Sequence, residues 1–144
     1  MVRRRATTAK SSLLLSAFLL CAVSCTEPVQ GESYVGGPRR YYEFTLDVKD
    51  SLALYDISFC SRYASRIRTD SQMCIGVRWT SPEDSVYSEK VWMKLDRGES
   101  CVKPYRVRMN FPRSGEWTLR LTPQEHEDDM AGMGIEWRKY YGTR

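Results

Sequence analysis

The chain is 144 residues long, enough for one domain and short for two. With 42% hydrophobic and 28% charged residues it has the make-up of a folded protein, which excludes a disordered or low-complexity chain. Its net charge of +4 comes from 22 basic against 18 acidic residues; Arg3, Arg4, Arg5 and Lys10 account for the whole excess, so a general nucleic-acid-binding role loses its electrostatic basis.

Residues 1–24 contain no acid. The four cations precede a short apolar run, Leu13 to Val23, which ends in Ala22-Val23-Ser24-Cys25. This is the layout of a secretory signal, and the run falls short of the roughly 20 residues a membrane span needs. The ending resembles a bacterial lipobox, although the usual leucine three before the cysteine is absent and Ala22 stands there. On that reading cleavage falls before Cys25, whose thiol and new amine are acylated; the alternative is an ordinary signal peptide cut near the same place. Thr26 rather than aspartate follows, which favours an outer-membrane destination. The stretch 25–40 holds Pro28, Gly31, Gly36, Gly37 and Pro38 without any period, and is expected to be a flexible tether.

From residue 41 to 144 the pattern is alternation. Tyr42, Phe44, Leu46 and Val48 are apolar at every second position, with Glu43, Thr45 and Asp47 between them. That is a strand with one buried face. The same pattern returns at Ala53 to Phe59, Met73 to Trp79, Tyr87 to Leu95, Tyr105 to Phe111, Trp117 to Leu121 and Met133 to Tyr140. In the fifth run Tyr105, Val107, Met109 and Phe111 are expected to face inward. Turns follow from Lys49-Asp50-Ser51, Thr80-Ser81-Pro82-Glu83-Asp84 and Pro112-Arg113-Ser114-Gly115. Gln124 to Met130 fits one helical turn or a charged loop, and the loop is preferred. About seven such runs predict an all-β, antiparallel two-layer β-sandwich.

Five cysteines are present. Cys21 would leave with the signal and Cys25 would be lipidated, which leaves Cys60, Cys74 and Cys101 in an oxidising compartment. Cys60 and Cys74 both fall on the polar face of their runs. A hairpin centred on Ile67 would set them opposite each other, within disulfide reach. Three thiols, or a pairing through Cys101, are the alternatives.

Little else points to catalysis. His126 is the only histidine, and it lies in the acidic run Glu125 to Asp129, read as a solvated loop. No nucleophile elbow, phosphate-binding glycine loop or zinc motif occurs, so no metal or cofactor is expected. Trp92 stands out among the aromatics. It shares the outer face of its strand with Ser88, Lys90 and Lys94, where an aromatic between two cations suits an acidic partner. Tyr41 likewise falls with Glu43 and Thr45. Aromatics so placed also stack on sugars, and an exposed aromatic resting on its lysine neighbours is the plain alternative.

Arg40 to Asp50, then Leu54 to Phe59 with Arg62, resemble the opening of the gliding-motility-associated lipoproteins of the GldH type. So do Val77 to Pro82 with Tyr87-Ser88-Glu89. The closing pattern Gly115 to Leu119, followed by Gly132 to Ile135, is similar to that family's end. The resemblance covers most of the mature chain in short motifs; Ser65 to Asp70 and Asp96 to Lys103 show no match. It implies a small cell-envelope lipoprotein of Bacteroidetes-type bacteria, associated with gliding or with other envelope roles, and brings no catalytic residues. The resulting expectation is a lipid-anchored, non-enzymatic module that binds an envelope protein. A glycan-binding module is the second reading, and a hydrolase the third.

Overall fold

Alternation in these strands is dictated by an interior with two walls. The computed structural model describes residues 30–63, 72–94, 100–125 and 127–140. Cys25, the whole signal segment, His126 and Leu95 lie outside the described residues. Eight strands run in chain order: β1 (Gln30–Gly36), β2 (Tyr42–Val48), β3 (Leu54–Tyr63), β4 (Gln72–Thr80), β5 (Val86–Lys94), β6 (Ser100–Asn110), β7 (Gly115–Pro123) and β8 (Met130–Tyr140). They pair antiparallel into two four-stranded sheets, one in the order β1-β8-β3-β6 and the other β2-β7-β4-β5. The expected all-β sandwich is the fold, with eight strands.

The alternating apolar positions become the core. Phe44, Leu46, Ile57, Phe59, Ile75, Val77, Leu119, Leu121, Met133 and Ile135 are all buried between the layers. At one end the filling is aromatic. Phe111 packs edge-on to Tyr55 at 5.4 Å and to Trp79 at 5.6 Å, and lies 5.1 Å from Trp117. Tyr55 also meets Trp137 at 6.4 Å. These rings tie the first sheet to the second, and such pairs stabilise beyond the area they bury.

Four expectations are corrected. The tether does not reach residue 40, because Gln30–Gly36 form β1 and pair with β8 along their full length. β1 is an edge strand with only Gly31, Val35 and no large inward side chain half-buried, so it carries none of the alternation that reveals the other strands. Its aromatic points outward instead. Tyr34 lies across Gly132 and Gly134 of β8, where an added Cβ on Gly132 would stand 2.2 Å from the Tyr34 hydroxyl. Gly132 also has φ +149°, a conformation open to glycine.

Cys60 and Cys74 do not form a disulfide. β3 and β4 make no hairpin: β3 pairs with β6 and β8, whereas β4 pairs with β5 and β7 in the opposite layer. Both cysteines follow the outward-facing positions of their strands, so the sandwich itself separates them. Layers stack about 10 Å apart, beyond the ~7 Å Cα limit for a bridge.

β6 breaks its alternation. Register shifts between Tyr55, Ile57 and Ser58 put extra residues into β6, and Arg108 adopts φ +55°. Val107, expected inside, is therefore turned out and 67% exposed, while Phe111 is fully buried. Bulges, together with Pro104, are the features that keep an edge strand from pairing further. Finally, Glu127–Asp129 form a single 3-10 turn within the stretch expected to be a charged loop.

Candidate functional site

β5 is an edge strand of the second sheet, and its two faces carry different chemistry. Its pairing with β4 is regular across all nine residues, Thr80↔Val86 through Gln72↔Lys94. Side chains therefore alternate strictly between the inside and the outside of the sandwich.

The outer face carries Ser88, Lys90, Trp92 and Lys94. Trp92 is 62% exposed and both lysines are exposed. Directly across the ladder stand Gly76 opposite Lys90, Cys74 opposite Trp92 and Gln72 opposite Lys94, so no acid faces these cations. Cys74 is only 5% exposed although it follows the outward positions, and Gln124 N–H donates to its carbonyl at 2.9 Å. Further across the same face, Arg78 lies opposite Arg120. Like charges in that position repel. Glu43 relieves one of them, accepting from Arg120 at 2.7 and 2.9 Å, while the Arg120 guanidinium also covers the Tyr41 ring at 4.4 Å. Arg78, Lys90 and Lys94 leave this face basic.

The inner face carries Tyr87, Glu89, Val91 and Met93, opposite Trp79, Val77, Ile75 and Met73. Glu89 is a carboxylate aimed into the space between the layers. It meets β6, the edge strand of the other sheet. Tyr105 donates its hydroxyl proton to Glu89, and Arg106 donates to both carboxylate oxygens, at 2.9 and 2.6 Å. Trp79 Nε1–H donates to the Tyr105 oxygen at 3.2 Å. The Tyr105 ring stacks on Phe59 at 4.4 Å. A polar chain, Trp79 to Tyr105 to Glu89 with Arg106, thus spans the seam between the two edges.

Burial alone would raise the Glu89 carboxyl, but the hydrogen bonds from Tyr105 and Arg106 and the nearby guanidinium outweigh it, and the group is held below the ordinary glutamate value. Burial pushes the Tyr105 phenol up, and its bond to the Glu89 carboxylate adds to that. The bond to Glu89 holds Arg106 above its already high value. The ion pair is therefore formed across the physiological range.

Beside this chain lies a cleft of about 300 Å³, lined by Trp79, Tyr87, Glu89, Tyr105, Met109 and Trp117 among others. Tyr87 is its exposed rim, and its ring lies 6.3 Å from Trp117 at a 30° tilt. An aromatic-lined hollow with a few convergent polar groups is the usual form of a ligand site. The sequence signalled Tyr87, Trp79, Tyr105 and Trp117 only as inward positions. Glu89 and Arg106 come together from different sheets, and no spacing along the chain announces that.

A second hollow, about 610 Å³, opens on the first sheet near the start of β1 and is lined by Glu32, Asp56, Ser58, Glu136 and Arg138 among others. Glu32 stands opposite Glu136. Asp56 is held low, chiefly by the Arg108 backbone N–H at 2.9 Å and then by Arg138 at 3.2 Å. Among the described residues no group of three or more His, Cys, Asp or Glu side chains is placed to hold a metal ion, and no helix is long and apolar enough to cross a membrane.

Fold and site together define an antiparallel β-sandwich with a basic, tryptophan-bearing outer face and a polar-bridged cleft along one open edge. No family model matches the chain and no curated protein matches it.

Proposed function

We propose that the chain is a lipid-anchored, non-enzymatic binding component of a cell-envelope assembly, attached through Cys25 to the outer membrane and docking an acidic protein partner on the outer face of β5. The anchor rests on the sequence: the basic segment, the short apolar run and Ala22-Val23-Ser24-Cys25. Acyl chains on one residue hold stably, since each buried methylene contributes about 0.8 kcal/mol. The resemblance to gliding-motility-associated lipoproteins supports the same setting and suggests a gliding-type assembly. With β1 starting at Gln30, only residues 26–29 separate the Cys25 anchor from the sheet. Fully extended, the chain from Cys25 to Gln30 reaches at most about 17 Å, so the domain works close to the lipid surface.

The observation that carries the docking reading is Trp92, 62% exposed between Lys90 and Lys94 with no acid opposite. An aromatic supplies contact area at low entropic cost, and the cations steer an acidic partner. The test is crosslinking of the native lipoprotein in envelopes. A specific crosslinked partner that is recovered with the unaltered chain and lost with Trp92→Ala supports the reading; equal recovery from both refutes it. Mass spectrometry of the mature N-terminus checks the anchor separately: an unmodified terminus at another residue removes it.

A further inference from the structure

We propose that the seam cleft between β5 and β6 is a second binding site, distinct from the outer face of β5, and that it takes one neutral sugar residue of an envelope glycan. Charge selects the ligand class. The carboxylate of Glu89 is already matched by Arg106, with 2.6 and 2.9 Å bonds, so the cleft carries no net charge to attract a cation or an anion. A cationic ligand would have to displace Arg106; an anionic one would meet Glu89.

Hydrogen-bond capacity narrows it further. A carboxylate accepts at about four positions and a guanidinium donates five protons. Tyr105 and Arg106 fill three of the Glu89 positions, and the two bonds to Glu89 use one Arg106 nitrogen. An acceptor position and several N–H donors remain at the rim, where Arg106 is half exposed. That pairing of acceptor and donor suits hydroxyl groups, which do both. The rest of the lining is mostly aromatic, with one thioether and one proline: Trp79, Tyr87, Tyr105, Trp117, Met109 and Pro112.

Placement fits a ring with one apolar face. Tyr87 and Glu89 are two apart on one side of a strand, about 6.7 Å by strand rise. A pyranose stacked on the exposed Tyr87 ring sets its hydroxyls toward Glu89 and Arg106. Trp117, 6.3 Å behind Tyr87, backs the platform. A cleft of about 300 Å³ holds one such residue and leaves the rest of a chain outside.

The experiment titrates the full-length, detergent-solubilised protein with cellotetraose, maltotetraose and the tetramer of N-acetylglucosamine. Trp92→Phe serves as the background, so that the remaining tryptophans, two of which line the cleft, report by fluorescence. At least one sugar is expected to give a saturable change with a Kd of about 1 mM or tighter. Tyr87→Ala should weaken it at least about tenfold, and Tyr87→Phe should keep it because stacking survives. Tyr87 is exposed, and unchanged melting confirms that its variants fold. Three results overturn the proposal: no saturable change with any of the three sugars, a change that Tyr87→Ala leaves intact, or saturation by an extended valine–threonine peptide and by no sugar.

Discussion

The two faces of β5 differ in what holds their side chains. On the inner face Glu89 is fixed by Tyr105 and Arg106, and Trp79 anchors Tyr105 in turn. On the outer face Trp92, Lys90 and Lys94 stand opposite Cys74, Gly76 and Gln72, none of which bears a countercharge. One strand thus presents a preorganised cleft to one side and an exposed, basic surface to the other. An inward charge on an edge strand also discourages pairing with foreign strands, so the Glu89 bridge has a structural role whatever enters the cleft. Structure and function separate by face, and substitutions can test each face alone.

The largest effect is expected beneath the inner face. Trp117 is buried against Phe111 and donates its indole N–H to the Arg113 carbonyl at 3.0 Å. Trp117→Ala should cost about 3–5 kcal/mol, read by denaturant unfolding. Next is Tyr105→Phe, which removes the hydroxyl that Trp79 and Glu89 share. It should cost about 1–3 kcal/mol, with a loosened seam visible as faster hydrogen exchange along β5 and β6.

Acid should weaken the same bridge. The folded-state value of Glu89 lies below its unfolded value. Its stabilising contribution is therefore full above the ordinary glutamate pKa, about 4.3, and is lost as pH falls through the lowered folded value. Glu89→Gln should flatten the pH dependence of stability in that acid range and leave neutral-pH dependence unchanged; an unaltered acid slope would remove the bridge from the account. The smallest effect on stability belongs to Trp92→Ala. An exposed side chain away from the core should shift stability by no more than about 0.5 kcal/mol, measured by the same unfolding series.

The strands and their faces were legible because a buried sheet face imposes a period of two on the sequence. Tyr42 to Val48 alternates without a break and is buried in the same order. Trp92 could be set outside for the same reason. What alternation does not encode is which strand pairs with which. Cys60 and Cys74 fall at the outward positions of their strands, Cys74 nonetheless buried, yet the hairpin that would join them does not exist, because β3 and β4 lie in opposite sheets. β1 escaped because an exposed edge strand needs no apolar period. Val107 was misplaced because a bulge resets the alternation, and no residue in β6 marks it except Pro104 nearby. The seam depends on the pairing of both sheets: Glu89 and Arg106 meet only after the edges β5 and β6 are brought together.

One comparison tests the division of β5 most directly: recovery of the crosslinked envelope partner by Trp92→Ala and by Tyr87→Ala, side by side with the unaltered lipoprotein. Both residues are exposed, at 62% and 53%, and they sit on opposite faces of one strand. The account predicts that Trp92→Ala loses the partner while Tyr87→Ala retains it, with all three proteins melting alike. Equal recovery by all three, or loss caused by Tyr87→Ala alone, would contradict it.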